Sequence, residues 1–303
     1  MTRRGWVLFI AMCIIWGLPY LLIRVAVRDL SPATVVFART AIGAILLLPV
    51  AISRGVLPEL KGRIRWLLFF TAVELTIPWL LLTDAEKHLT SSLAGLLVAA
   101  VPLVGVLLAR ISGQAEHMTT RRWVGLGVGI AGVASLVGLQ VGEINMTSVL
   151  EIFVVAVGYA TGPLILSTRL ATVPSIAVVS VSLSITAVIY APFAVASHPH
   201  DVHAKVVWSV VGLAVVCTAI AFLVFFALIA EVGPTRSTVI TYVNPAVAIA
   251  LGVAVLGEHL TAGMIVGFPL VLIGSVLATS KSAAAASTDA VPMLGEEPVV
   301  SPG

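Results

Sequence analysis

Ten apolar runs follow one another along this chain, and each is long enough to cross a lipid bilayer. A helix needs about 20 apolar residues to span roughly 30 Å of hydrocarbon. The predicted spans are residues 6–26, 32–52, 66–83, 90–110, 122–140, 147–167, 174–195, 206–228, 236–256 and 262–280. Because 59% of the 303 residues are hydrophobic and 10% are charged, the chain has too little polar surface for a soluble globule. The runs lack the period-two alternation of a membrane β-barrel, which predicts an all-α polytopic membrane protein with ten transmembrane helices.

A duplicated motif divides these spans into two sets of five. The chain contains Glu-His-x-Thr twice, at residues 116–119 and 258–261. Nearby residues also match between the copies: Gly125 with Gly267, Gly132 with Gly274 and, within one residue of the same offset, Pro102 with Pro245. Five crossings end on the side opposite to their start, so the second copy is inverted relative to the first. We expect a five-helix repeat over residues 1–143, an inverted five-helix repeat over 144–280 and a disordered cytoplasmic tail over 281–303.

The distribution of positive charge predicts which helix ends face the cytoplasm. With the N-terminus inside, the cytoplasmic segments hold Arg3, Arg4, Arg54, Lys61, Arg63, Arg65, Arg110, Arg121, Arg122, Arg169, Arg236 and Lys281. The outer segments hold only Arg28, Lys87 and Lys205. Both termini are therefore predicted to be cytoplasmic, in an inner membrane. The first span could be a signal peptide, but its length and the lack of a small-residue cleavage site favour a retained helix.

Several motifs together resemble the EamA-type branch of the drug/metabolite transporter superfamily, over about residues 6–280. They are Trp16-Gly17 in the first span, Pro32 followed by Arg39 at the second, Pro102 in the fourth, Gly113 with Glu116 before the fifth, and Pro245 with Gly257-Glu258 before the tenth. The resemblance implies a secondary transporter or exporter of small metabolites, without ATP hydrolysis and without a cofactor. The halves differ in two places, since Gly158-Tyr159 replaces Trp16-Gly17 and Val181 falls where Arg39 would be. An asymmetric site between the repeats, opened alternately to each side, is expected.

Two other classes of function remain as alternatives. A channel-like facilitator would share the helices but would not show exchange-stimulated flux. An intramembrane enzyme is disfavoured because the chain has no P-loop, no His-Glu-x-x-His and no Gly-x-Ser-x-Gly motif. Nucleic-acid binding is excluded because Lys and Arg lie in short connections and do not form one basic face.

Glu74 and Arg39 are the strongest candidates for functional charges. An ionisable group in a membrane span costs at least ~2.5–3.5 kcal/mol and is retained where something uses or pairs it. Glu74 lies near the middle of the third span. It could carry a proton or bind a cationic group of the substrate, or it could form a structural ion pair with Arg39. Arg24 and Glu151 lie near the predicted outer boundary, where long side chains can reach water, so we interpret both as structural.

Aromatic and amide side chains on four spans are the candidate lining of the substrate site. They are Trp16, Tyr20, Trp79, Tyr159, Tyr242 and Asn244, on spans that line the central cavity in the family that the chain resembles. Aromatic faces with a few polar groups suit a small amphipathic solute, such as an amino acid or a related metabolite. Packing in the bundle or at the membrane interface is the alternative for each of them.

Prolines and glycines carry further hypotheses. Pro102 and Pro245 are equivalent across the repeat and are predicted to bend the fourth and ninth helices, either for gating or as static kinks. Glycines of the fifth and tenth spans have Gly-xxx-Gly spacing, which suits either a homodimer contact or, as we favour, packing within one chain. Thr119 and Thr261 of the repeated motif are predicted to cap these helices, with the acids at the positive end of the helix dipole.

No metal site is predicted. The histidines around the seventh connection, His198, His200 and His203 with Asp201, could hold zinc or nickel, but a solvated loop is the simpler interpretation. Cys13 and Cys217 lie inside apolar runs and are interpreted as small hydrophobic residues.

Overall fold

The computed structural model describes residues 1–111, 119–139, 144–197 and 201–279, and all regular secondary structure in these ranges is helical. Ten long helices in this part of the chain, labelled α1 to α10 in chain order, run over Arg3–Ala26, Pro32–Ser53, Ile64–Ala85, Ser91–Ile111, Thr120–Gly138, Met146–Arg169, Ser175–Ala196, Ala204–Val232, Ile240–Leu256 and Ala262–Thr279. Two short helical turns, Leu57–Leu60 and Pro234–Ser237, lie in connections between them. The prediction of an all-α protein is confirmed.

Eight of the described helices are long and apolar enough to cross a membrane. The other two are α5 and α9. Helix α9 has 17 residues, and α5 has 19 residues but begins with Thr120-Arg121-Arg122, which shortens its apolar part. Large apolar side chains point outward from the bundle: Ile45, Val188 and Trp208 are each more than 70% exposed. An apolar exterior of this extent suits lipid as the surrounding solvent.

The helices pack in five main pairs. Helix α1 packs against α8, α2 against α7, α3 against α6, α4 against α9 and α5 against α10. Each pair joins one of the first five helices to one of the last five. Side chains from both halves of the chain therefore pack together in the interior of the bundle.

Contacts between the connections assign helix ends to the two ends of the bundle. Asp29, after α1, accepts hydrogen bonds from the backbone N–H and Nδ1 of His203, before α8, both at 2.9 Å. At the opposite end, Thr2 Oγ1 donates to Glu231 Oε1 at the end of α8 over 2.5 Å. We call the end with Asp29 the predicted outer end and the end with Thr2 the predicted inner end. The backbone N–H of His203 and then its ring lower the pKa of Asp29.

Glycines allow α5 and α10 to approach at backbone distance. A Cβ atom on Gly132 would lie 2.6 Å from the backbone N of Val271, and one on Gly267 would lie 2.7 Å from the carbonyl O of Gly132. No side chain larger than hydrogen fits at such distances. The interpretation that these glycines pack within one chain is confirmed. A homodimer through α5 and α10 stays a prediction.

The repeated threonines begin the same two helices. Thr119 Oγ1 accepts a hydrogen bond from the N–H of Arg122 at 3.4 Å, and Thr261 Oγ1 accepts one from the N–H of Met264 at 3.3 Å. The predicted N-caps are therefore confirmed. Glu116 and His117 of the first motif copy and Gly113 lie outside the described residues, as do His198, His200 and the tail from residue 280 onward.

The two prolines that are predicted to bend α4 and α9 lie in different surroundings. Helix α4 is interrupted by a turn at Ala99 and Ala100, directly before Val101 and Pro102. Pro102 has no N–H to continue the hydrogen-bond ladder across this turn. Helix α9 continues through Pro245 as one helix. A role of either proline in gating stays a prediction.

Candidate substrate site

The middle of α3 is wound as a π-helix over Thr71–Thr76, and this segment carries Glu74. Pro78 follows four residues after Glu74 and has no N–H for the Glu74 carbonyl, so the regular α-helical bond cannot form there. The N–H of Ile77 bonds instead to the carbonyl of Ala72, five residues back. Such wide turns are frequent at functional sites.

Hydrogen bonds from α7 hold this π segment in place. Thr71 Oγ1 donates to Ser182 Oγ over 2.7 Å, and the hydroxyls of Thr76 and Thr186 lie 2.9 Å apart. The Tyr190 hydroxyl donates to the carbonyl of Thr76 over 2.8 Å. These groups are buried, and together they orient the turn that presents Glu74.

The Glu74 carboxylate lies against Gly162 of α6. A Cβ atom on Gly162 would overlap the carboxylate, and one on Gly158 would overlap the backbone of the π segment at Val73. Glu74 Oε2 is buried and has no hydrogen-bond partner in the described part of the chain. Glycines on α6 therefore make room for the acid, and the acid keeps an oxygen available for a ligand or a proton.

Arg39 lies against α8 and against Trp79 of α3. Its side chain is buried, and its Nε donates to Thr218 Oγ1 over 2.8 Å. Its Nη2 donates to the carbonyl of Cys217 over 3.4 Å. The guanidinium carbon lies 3.7 Å from the ring centroid of Trp79, in a cation–π contact. Thr218 and Cys217 belong to a second π segment, Val215–Ile220.

The predicted ion pair between Glu74 and Arg39 does not form. Arg4 pairs with Glu231, Lys87 with Asp84 and His203 with Asp29, whereas Glu74 Oε2 has no hydrogen-bond partner in the described part of the chain. The reason is geometric, since the π segment of α3 turns Glu74 toward α6 while Arg39 is held by α8. The two charges are therefore separately available for a ligand.

Two tyrosines interact with one or both of these charges. Tyr159 interacts electrostatically with both Glu74 and Arg39, and Tyr20 interacts with Arg39 and with Tyr159. Tyr159 also packs against both large apolar clusters of the bundle. The structure thus brings together Glu74, Arg39, Trp79, Tyr20 and Tyr159 of the predicted site.

The remaining predicted residues lie elsewhere. Trp16 packs on Phe225 and Phe222, with ring centroids 4.6 and 6.4 Å away. The Tyr242 hydroxyl lies 3.2 Å from that of Thr279, at the predicted inner end. With its amide oriented as a donor, Asn244 reaches the carbonyl of Cys13 at 3.2 Å.

These three side chains join α1 to α8, α1 to α9 and α9 to α10, with the contact of Tyr242 at the predicted inner end. A separate pocket at this end is lined by Arg54, Pro174, Ser175, Ile176, Phe226, Ile229 and Ala230. It contains none of the predicted site residues.

Glu258 has a different role from the one that the sequence suggested. The expectation placed the acid at the N-terminus of its own helix. Instead its carboxylate accepts four hydrogen bonds at the start of α4. Oε1 accepts from the N–H and hydroxyl of Ser91 at 2.8 and 2.9 Å, and Oε2 accepts from those of Ser92 at 3.0 and 2.5 Å. We call this arrangement the Glu258 cap.

Gly257 makes the Glu258 cap possible. It adopts a left-handed backbone conformation with φ 69° at the end of α9, which favours glycine. The turn directs Glu258 across to the positive end of the α4 dipole, where a carboxylate is stabilised. The sequence separation of Ser91 and Glu258 hides this contact from local motif analysis.

Glu86 was also missed. It follows the last residue of α3, where an acid is usually solvated, yet it is fully buried. Arg24, interpreted as a residue that reaches water, donates from Nη1 to the backbone carbonyl of Glu86. Packing of α1 on α4, which follows Glu86, brings these residues together.

Most of the chain matches a transporter family and proteins that are named as transporters. The model of the EamA-like transporter family matches residues 3–138 and 146–280. The uncharacterized inner membrane transporter YedA of Escherichia coli K12 is 29% identical over 257 residues, which are 83% of this chain and 82% of YedA. The uncharacterized transporter YvbV of Bacillus subtilis 168 is 27% identical over 282 residues, which are 89% of this chain and 90% of YvbV. A solved crystal structure with 19% sequence identity superposes on 92% of this chain and 97% of its own with a TM-score of 0.64, which shows a shared fold.

Proposed function

This chain belongs to the EamA-like transporter family, and from that premise we propose that it is a secondary transporter or exporter of amino acids or related amphipathic metabolites. It works in the inner membrane, with both termini in the cytoplasm. Two inverted five-helix repeats alternately open the central site to each side. The alternative is a channel-like facilitator with the same site.

The observation that carries this proposal is that the opposite charges of Glu74 and Arg39 are not paired with each other, although both interact with Tyr159. Arg39 can receive the carboxylate of a zwitterion, since its guanidinium is paired with no acid in the described residues. Glu74 can receive the ammonium group through its unpartnered Oε2. Trp79, Tyr20 and Tyr159 offer aromatic surface for the apolar part of the solute.

The helix pairing supports the inverted repeat. A two-fold axis in the membrane plane exchanges α1 with α6 and α3 with α8, so that the pair of α1 and α8 becomes the pair of α6 and α3. It also relates α2 to α7, α4 to α9 and α5 to α10, and each of these is an observed pair. The π segments Thr71–Thr76 and Val215–Ile220 lie on the exchanged helices α3 and α8, with Glu74 and Thr218 at the same position in each.

The test is exchange transport in proteoliposomes loaded with a radiolabelled amino-acid mixture. We expect saturable flux that is stimulated by unlabelled amino acid on the opposite side. Arg39→Gln and Glu74→Gln lower the flux by roughly a hundredfold each, since each removes a charged contact worth about 2–4 kcal/mol. The exposed residues Arg28 and Glu59 supply matched controls, Arg28→Gln and Glu59→Gln, which keep wild-type flux. Non-saturable flux without exchange stimulation would indicate a channel, and no flux of any amino acid would reject the substrate class.

Proton coupling through Glu74 is the second part of the proposal. If Glu74 carries a proton during the cycle, an imposed pH gradient drives wild-type transport, and in Glu74→Gln the residual flux is independent of that gradient. If the residual flux of Glu74→Gln responds to the pH gradient as wild type does, Glu74 does not carry the proton and acts in substrate binding alone.

A further inference from the structure

A second buried carboxyl group, Glu86, lies outside the site described above. It is 0% exposed, and neither of its carboxylate oxygens has a hydrogen-bond partner in the described part of the chain. An ionised carboxylate without partners in such a position is strongly disfavoured. The structure therefore shows Glu86 in an environment suited to a neutral, protonated acid. Burial raises the pKa of Glu86 well above its usual range.

Charged and phenolic groups act on Glu86 from four elements, namely α1, α2, α6 and the connection between α9 and α10. Arg24 of α1 favours the charged form, but it donates to the backbone carbonyl of Glu86 and leaves the carboxyl group unpaired. Arg39 of α2 also favours the charged form, whereas Glu258, between α9 and α10, opposes it. Tyr20 and Tyr159 interact with the same acid. Glu86 thus interacts electrostatically both with residues of the candidate substrate site and with Glu258 of the cap.

The Glu258 cap is the structure that a charge on Glu86 would disturb. Ser91 and Ser92, which donate all four hydrogen bonds, begin α4 directly after the short connection that starts with Glu86. The cap joins the start of α4 to the turn between α9 and α10, at the predicted outer end. A negative charge on Glu86 repels the carboxylate of Glu258.

We propose that Glu86 is a proton-binding site that controls the Glu258 cap, so that the cap is closed while Glu86 is protonated and loosens when the proton leaves to water. This inference rests on the proposed alternating access, because the cap links helices of the two halves. It assigns proton sensing to a residue distinct from Glu74.

Hydrogen exchange of the full-length protein in lipid nanodiscs tests this without a substrate. The backbone N–H groups of Ser91 and Ser92 donate to Glu258, so their exchange reports the cap directly. After correction for intrinsic exchange between about pH 5 and pH 9, we expect wild-type protection to fall by roughly tenfold as pH rises. In Glu86→Gln the protection stays high at every pH, and in Glu258→Gln it is low at every pH.

Two further variants test whether the pH dependence of hydrogen exchange comes from Glu86. Arg24→Gln removes a cation that favours ionised Glu86, so the loss of protection moves to higher pH. Glu74→Gln keeps the wild-type exchange profile even where it abolishes transport, which separates this inference from the proposed function. The same pH dependence in wild type and Glu86→Gln overturns the role of Glu86. Unchanged protection in Glu258→Gln overturns the cap.

Discussion

At the scale of single residues, the site depends on glycines, which leave space for neighbouring groups. Glu74 occupies the space that Gly162 leaves on α6, and Gly158 accommodates the widened turn around Val73. Glu74 itself was predictable, because an acid in the middle of an apolar run is conspicuous. The residue that contacts Glu74 was not predictable. Whether Glu74 lies against Arg39 or against Gly162 depends on how α3 is wound around residue 74.

Gly162→Ala tests this contact. The added methyl group overlaps the Glu74 carboxylate, so we expect a loss of about 1–3 kcal/mol in the free energy of unfolding in detergent. The control is Gly127→Ala on α5, where nothing lies within 4 Å of the added carbon. The double variant Gly162→Ala with Glu74→Ala recovers most of the loss, since the smaller side chain frees the space. A loss that is equal in the single and double variants contradicts the contact.

At the scale of elements, the two π segments decide which residues face the centre. A regular helix through residues 71–76 would rotate Glu74 relative to Pro78 and Trp79. Helix positions were predictable from hydropathy, since apolar length is what a bilayer requires. The π segments were not, because they form where a wider turn is held by neighbouring helices, here through Thr71 and Ser182.

Pro78→Ala restores an N–H that can bond the Glu74 carbonyl and favours a regular helix. We expect the flux in exchange transport to fall by about tenfold or more as Glu74 turns from Gly162. Pro49, an exposed proline inside α2, provides the control Pro49→Ala, which keeps wild-type flux. Equal flux in Pro78→Ala and wild type would show that the π segment is not required.

At the scale of the whole molecule, the two halves are joined by their five helix pairs. The pair of α5 and α10 is the closest, because glycines on both helices let backbone atoms meet. The role of the glycines in helix packing was predictable from their spacing. Whether the partner helix belongs to the same chain was not, because spacing does not identify the facing surface.

Gly132→Leu forces α5 and α10 apart and is expected to cost more than about 3 kcal/mol of unfolding free energy. Gly127→Leu, on the face of α5 with open space beside it, leaves the unfolding free energy near wild type. Native mass spectrometry of the same variants tests the homodimer. If Gly127→Leu dissociates a wild-type dimer, the dimer contact uses the face of α5 that carries Gly127. If the wild-type protein is a monomer, the predicted dimer is ruled out.

The amino-acid sequence by itself determined the solvent, the helical class and the approximate helix ends, because these depend on local apolar length, capping residues and turn residues. It also identified the family and placed Glu74 and Arg39 at membrane depth. Tertiary structure alone decided their partners, the burial of Glu86 and the position of the Glu258 cap on α4. These features join residues more than 60 positions apart, such as Arg24 with Glu86 and Ser91 with Glu258. Their energies come from packing between helices, which no local pattern encodes.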